Sequence, residues 1–407
     1  MSFWNDPINA ASQWLKGIFM GWGMPEIWAY VLLSLIGIVV LVMVAMLVDI
    51  MLVWVERKVV ARFQGRLGPN RVGPFGLFQP FPDIIKLIIK EDITPDGADK
   101  VVFNMAPVIS AMSVIILWAV FPLAARVYGT DLNVAVLYLV AAGAFGTLAV
   151  IMAGWSSNNK YALLGAFRSV ATMVSFEIPL VVALMIPVII TGSMSLKTIS
   201  EAQINTVPFI LVAPLAFLIF LISAIAELGR SPFDLNEGES EIVSGFHIEY
   251  SGMKFGWFYA GELLHSYTVG GLMGILFFGG WGWFGLEKIS FLSWLASPLF
   301  SAIAVLGKAL IGYWIIMWIK YTVPRIRIDH MLAFNWKFLT PLSFVLLMVV
   351  AVSHSLLKGY MANALWIYVV GMLLTNLLVG WVTLEILRAL SRKERAEVQT
   401  PKPVAQH

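Results

Sequence analysis

The sequence has 407 residues, of which 59% are hydrophobic and only 13% are Asp, Glu, Lys or Arg, against roughly 25% charged residues in soluble domains. That composition excludes a soluble globular protein. Cysteine is absent, which removes disulfides, thiolate metal sites and iron–sulfur ligation by this chain, and the formal charge of +3 gives none of the basic footprint that nucleic-acid binding needs.

Residues 1–27 carry Lys16, two acids and three tryptophans without a compact apolar core. They read as an external interfacial segment and not as a cleavable signal peptide. Beyond them, apolar runs of about 20 residues, enough to cross a hydrocarbon core of roughly 30 Å, predict nine helices. They lie near 28–55, 101–124, 133–153, 168–191, 208–227, 256–280, 299–322, 338–357 and 365–388. The expected fold is an all-α integral membrane protein with one transmembrane domain over 28–390 and a flexible cytoplasmic tail over 391–407. Of the 27 Lys and Arg, all but Lys16, Arg126, Lys197, Lys288, Lys358 and the intramembrane Lys308 fall in the odd-numbered loops and the tail. Cytoplasmic loops concentrate these residues, so the N-terminus is expected outside and the C-terminus inside.

The first cytoplasmic loop, 56–100, holds Gly65, Gly68, Gly73 and Gly76 with two prolines between Arg66 and Leu77. These residues cannot continue a helix, so the loop is an ordered irregular segment studded with Arg57, Arg62, Arg66 and Arg71. After Pro80 and Pro82, charges on one stripe and isoleucines on the rest predict a short amphipathic helix lying on the membrane. A plain electrostatic anchor is the bland alternative for this loop.

The third cytoplasmic loop, Glu227 to Lys254, reverses the charge bias with six acids against two bases. Glu237, Glu239 and Glu241 alternate, and crowded carboxylates titrate as a coupled set that can hold and pass protons. A solvated acidic face that docks a basic partner is the compatible alternative. Inside the spans, Glu262, Glu177 and Lys308 lie at staggered depths, roughly 9, 13 and 21 Å from the cytoplasmic end. Each costs on the order of 3 kcal/mol at the bilayer centre, so the three must face one another, water or a partner chain. Pro179 and Pro187 are expected to free backbone groups beside Glu177 for water. Asp49 lies about two turns before Glu56, whereas Glu385 with Arg388 reads as an ordinary i, i+3 pair. Gly280, Gly282 and Gly285 in GWGWFG mimic the spacing of a dinucleotide fingerprint, but no strand precedes them and tryptophans fill the turn. The five histidines offer no i, i+3 or i+4 pair, so no metal site is expected.

The strings ERKVVARFQGRLGPNRVGPFGLFQPF, GWSSNNKYALLGAFRSVATMVSFEIPL, AELGRSPFDLNEGESEIVSGFHIEYSG and VPRIRIDHMLAFNWKFLTPL, in this order over most of the chain, resemble the H subunit of respiratory complex I, the relative of mitochondrial NADH dehydrogenase subunit 1. The resemblance implies a multi-pass subunit of the bacterial plasma (inner) membrane at the joint between the peripheral and membrane arms of a proton-translocating NADH:quinone oxidoreductase. Quinone would be its substrate, with flavin and iron–sulfur clusters held by partner subunits and no cofactor bound by this chain alone. The family pattern implies that Glu56, Arg57 and Arg66 lie by the quinone tunnel. It also implies that Glu227, Arg230, Asp234, Glu237, Glu239, Glu241 and Glu249 form an acidic proton entrance, and that Glu177, Glu262 and Lys308 are the intramembrane charges of the same path. The chain departs from the pattern at Phe176, which lacks the hydroxyl of the usual Tyr, at Gly229, and at His330, where Gln is usual. The related membrane subunit of a hydrogenase or other ferredoxin-driven or coenzyme-driven complex is the alternative within this class. A stand-alone ion transporter is the alternative outside it, and the inverted repeats that would favour it are not seen.

Overall fold

A computed structural model of the chain describes residues 7–235 and 238–399. Glu237 lies outside the described residues, as do the ends of the terminal segments. Among the described residues there is no strand. Sixteen α-helices follow in order: α1 (Pro7–Gly21), α2 (Glu26–Phe63), α3 (Pro80–Ile89), α4 (Lys100–Leu117), α5 (Ala135–Ser156), α6 (Lys160–Thr191), α7 (Leu196–Asn205) and α8 (Phe209–Val212), then α9 (Pro214–Glu227), α10 (Glu239–Ile242), α11 (Gly252–Leu276), α12 (Pro298–Thr322), α13 (Ile328–Phe334), α14 (Thr340–Leu357), α15 (Tyr360–Asn363) and α16 (Leu365–Gln399).

Helix forms at all nine predicted positions, and 7 of these segments are long and apolar enough to cross a membrane: α2, α4, α5, α6, α12, α13 with α14, and α16. The other two differ for separate reasons. The fifth position is broken at Ala213, just before Pro214, into α8 and the 14-residue α9. The sixth, α11, has the length, at 25 residues, but carries Lys254, Glu262 and His265. At the other end of the chain, α16 runs on helically to Gln399, beyond the boundary expected at 390.

α6 is the pivot, because it is buried along most of its length and packs on α5, α9 and α14. α11 pairs with α12 and α4. The α11–α12 contact depends on glycine: a Cβ at Gly270 would stand 2.5 Å from the Ala309 carbonyl oxygen, and one at Gly312 would stand 2.6 Å from the Gly270 Cα. Small residues that let backbones meet are a usual device where lipid supplies no hydrophobic drive between helices. α2 lies on the outside, packed on α11, α12 and α3. Its buried residues include Ala45, Asp49, Leu52 and Glu56, one stripe down an otherwise apolar exposed helix.

At Pro179, where a carbonyl freed for water was expected, and likewise at Pro107 in α4, a neighbouring side chain takes the freed carbonyl. Pro179 removes the N–H that would reach Ser175, and the buried Asn335 amide donates to the Ser175 oxygen instead at 2.7 Å. Pro107 does the same to Phe103, whose oxygen accepts from the Tyr250 hydroxyl at 3.2 Å, under a Phe103–Tyr250 stack with ring centroids 4.1 Å apart. Such capping satisfies the rule that backbone groups in lipid must find partners within the protein. It also fastens the segment after α10 to α4, and the α13–α14 junction to α6.

Three irregular segments meet at one end of the bundle. Residues 90–94 join the start of α11 through Lys254 to Asp92 at 2.9 Å and Ser251 to the Glu91 oxygen at 3.1 Å. The segment after α9 joins the one after α12, with the Ile326 N–H donating to the Pro232 oxygen at 3.0 Å.

Candidate functional site

The site begins at Glu56, on the buried stripe of α2 and only 4% exposed. Its Oε1 accepts from Arg230 Nη1 at 3.0 Å, Lys320 Nζ at 2.9 Å and the Tyr321 hydroxyl at 2.6 Å, and Oε2 accepts from the Tyr313 hydroxyl at 3.3 Å. Arg230, 2% exposed, turns its Nε to Glu262 Oε1 at 2.9 Å. The guanidinium fork therefore bridges carboxylates from α2 and α11, and with Lys320 it balances their charge. Buried ions persist only when paired and hydrogen-bonded in this way. Glu56 and Glu262, expected in a tunnel and in a relay respectively, thus belong to one cluster. Tyr313, Lys320 and Tyr321 escaped the sequence reading, although their i, i+7, i+8 spacing on α12 places them on one face and could have marked them.

Arg57 and Arg66 point elsewhere. Arg57 pairs with Asp83 on α3, tying that helix to α2, and Arg66 donates to Gln64 at 2.7 Å on the exposed surface. The apolar side of α3 is open, with Phe81, Ile85, Ile88 and Ile89 exposed.

Two cavities continue the polar line inward from Glu262. The first, about 110 Å³, is lined by Glu262, His265, Glu227, His247 and Tyr259 among apolar neighbours from α4 and α5. A water needs roughly 10–15 Å³ of such space, so this one has room for several. The second, about 40 Å³, lies between α6, α9 and α11 and is lined by Glu177, Glu227 and His265. Glu227 and His265 line both. Glu56, Arg230 and Glu262 are thereby connected, through volume that water can fill, to Glu227 and Glu177. Burial holds the His247 imidazole below its ordinary value, against the opposing pull of Glu262. Phe176, beside Glu177, is fully buried and packs on Phe233 with ring centroids 5.3 Å apart, so its place is taken by packing.

The acidic segment is held by basic groups of its own chain. Glu241 accepts from Arg168 and lies 3.9 Å from Arg325, and Glu249 accepts from the Asn159 amide at 2.6 Å. Asp234 is half-buried between the buried Phe233 and Leu235. Glu239 opens α10, its side chain outside the described residues. Gly245 packs against α6 so closely that a Cβ at Gly165 would stand 2.6 Å from the Gly245 Cα.

The hydrogen bond from Arg168 holds the Glu241 carboxyl below its ordinary value; burial opposes this, and the charges of Arg168 and Arg325 add to it. A depressed carboxylate contributes docking that is complete above its unfolded value and lost as pH falls through the folded one. Backbone hydrogen exchange over 238–247, corrected for intrinsic rate, is therefore expected to accelerate below about pH 4. Arg168→Gln should produce the same loosening at neutral pH. Equal protection in wild type and variant at both pH values would leave this ion pair without a docking role.

Lys308 does not join the cavities. Its ammonium donates to the Gly280 and Gly282 oxygens at 2.7 and 2.6 Å and sits 4.7 Å from the Phe284 ring centroid. The glycine-rich turn that resembled a phosphate cradle thus presents carbonyls to a cation. No group of three or more His, Asp or Glu able to hold a metal occurs among the described residues.

Comparison with known proteins gives a match to the family model described as NADH dehydrogenase over residues 36–351. α1, α15 and α16 fall outside the matched range. A protein of Dehalococcoides mccartyi named as the H subunit of NADH-quinone oxidoreductase is 46% identical over 328 residues, covering 81% of this chain and 88% of the relative. One of Syntrophobacter fumaroxidans, named as H subunit 2 of NADH-quinone oxidoreductase, is 43% identical over 316 residues, covering 75% and 91%. The H subunit of Geobacillus thermodenitrificans is 40% identical over 351 residues, covering 86% and 98%.

Proposed function

This chain belongs to the NADH dehydrogenase family, as an H subunit of NADH-quinone oxidoreductase, and from that membership we propose that it guides quinone to its reduction site and opens a proton path coupled to that reduction. The observation that carries the reading is the line from the Glu56–Arg230–Glu262 cluster through two cavities to Glu177. Charge placed at one end of such a line changes proton affinity along it, because buried ionisable groups interact strongly at low dielectric. Quinone becomes quinol by taking electrons from redox centres in partner subunits and protons from groups near its headgroup. The cluster sits where α2, α11 and α12 meet, close to the arginine-bearing loop. Asp234, Glu237, Glu239, Glu241 and Glu249 form the entrance of the path on the side of the peripheral arm. Lys308, held by a carbonyl turn, closes the far end of the bundle and is a positioning residue in this reading.

In the membrane, α8 with α9 and α11 complete nine spans, with the N-terminus outside and the C-terminus in the cytoplasm of a bacterial cell, following the distribution of Lys and Arg. α3 lies in the interface with its exposed isoleucines in lipid. Its tie to α2 through Arg57 and Asp83 shapes the mouth through which an apolar quinone enters.

The quinone part is tested in native membranes by NADH:quinone activity normalised to artificial-acceptor activity. Arg57→Ala is expected to raise the quinone KM by a factor of about 2 to 5, the scale of a partly exposed ion pair, with assembly intact. Asp83→Asn should give the same result, and the double variant no more than either single one. A KM unchanged in all three would reduce the loop to an anchor.

A further inference from the structure

We propose that His265 is a proton-transfer residue that joins the two cavities, accepting a proton from the Glu262 side and releasing one toward Glu177. The inference deepens the reading of the chain as a proton path and rests on it. No motif marks His265: in sequence it is a lone histidine within an apolar run, three residues after Glu262.

Its placement is what assigns the role. Three residues apart on α11, Glu262 and His265 share a helix face, and both line the larger cavity. His265 also lines the smaller one, which Glu262 does not, and where Glu177 lies. Of the titratable groups in the larger cavity, only Glu227 shares that position at the junction.

Imidazole chemistry suits the junction. One ring nitrogen accepts while the other donates, so a proton taken from a water on one side can be matched by a proton released on the other. Exchange of the tautomer then resets the ring with no net change in protons. A carboxylate such as Glu227 must instead carry its proton from one cavity to the other by rotating. The groups that face His265 are Glu262 and Tyr259 on α11, Glu227 at the end of α9 with Arg230 just beyond it, Glu177 on α6 and His247. Arg230 is near enough to act on the ring electrostatically. The lining contributed by α4 and α5 offers only hydroxyls among its polar groups, those of Ser110, Ser113 and Thr147.

The test uses the whole complex in native membranes, with His265→Gln, His265→Leu and Glu177→Gln compared side by side. Native gels report assembly. NADH:quinone activity normalised to artificial-acceptor activity, and protons translocated per electron, are measured in H2O and in D2O. Both His265 variants are expected to assemble, to lose at least about fivefold of the coupled activity, and to show a larger solvent isotope effect than wild type, because proton transfer across the junction then limits turnover. His265→Gln carries the conclusion should His265→Leu fail to assemble. A loss of activity with the solvent isotope effect unchanged, or a Gln variant missing from the complex, marks a packing role and overturns the proposal. Wild-type behaviour of His265→Gln alongside an impaired Glu177→Gln also overturns it, since Glu227 alone then serves the junction and the wider path stands. Wild-type behaviour of both would instead remove the proton path itself.

Discussion

Arg230→Met is expected to remove the chain from the assembled complex. The side chain it replaces is nearly inaccessible, hydrogen-bonded to Glu56 and ion-paired with Glu262. Deleting one partner from a buried ionic cluster costs about 3–5 kcal/mol, because the charges left behind stay buried and unbalanced. That is comparable to a large part of the roughly 5–15 kcal/mol of net stability of an ordinary protein. Native gels should show the complex reduced by about tenfold or more. Arg230→Lys, which keeps the charge but loses the fork that spans two carboxylates, should fall between. Charge balance predicts a rescue: Arg230→Met with Glu262→Gln leaves Glu56 paired with Lys320 at 2.9 Å, so assembly should largely return while coupled quinone reduction does not. Full assembly and turnover in Arg230→Met alone would show that the cluster contributes nothing to folding.

Glu177→Gln is expected to act on turnover and leave assembly alone. The amide keeps the volume and most of the hydrogen bonding in the small cavity between α6, α9 and α11, but it cannot release and regain a proton. A positioned proton carrier contributes about 10²–10⁴ in rate where nothing replaces it. Coupled NADH:quinone activity should therefore fall about tenfold or more, with proton translocation falling alongside and artificial-acceptor activity unchanged. Glu177→Asp, which shortens the reach and keeps the proton, should be milder. Equal activity in Glu177→Gln and wild type would make this carboxyl a hydrogen-bonding group with no share in the path.

Membership of a membrane class was legible from composition alone, and helix at the nine predicted positions was legible from apolar runs, 7 of them long and apolar enough to cross a membrane, because hydropathy and helix propensity are local properties. Glycines and prolines marked the irregular segment after Phe63 for the same reason, but α2 runs on helically through Glu56, Arg57 and Arg62, which the sequence placed in that loop. Long family-like strings carried the acidic segment and the candidate carboxylates. What those carboxylates touch was not legible. Arg230 lies 174 residues from Glu56 in sequence, and Lys320 lies 264.

An apolar membrane helix does not record in its sequence which side meets protein and which meets lipid, since both surroundings favour the same residues. α2 shows this: Leu47 and Met51 are exposed while Leu52 is buried, a distinction with no compositional sign. Only packing set the rotation of α2 that carries Glu56 to Arg230, and only packing opened the cavities that His265 joins. Packing also decided that Asn335 and Tyr250, and not water, take the carbonyls freed by Pro179 and Pro107. Lys308 is the converse case: its depth was readable, but the carbonyls that receive it belong to the turn that joins α11 to α12, 28 and 26 residues earlier in the chain. The sequence by itself determined which segments are apolar and helical and which charges they carry. The tertiary structure decided which charges meet, because pairing depends on helix rotation and close approach between segments far apart in the chain.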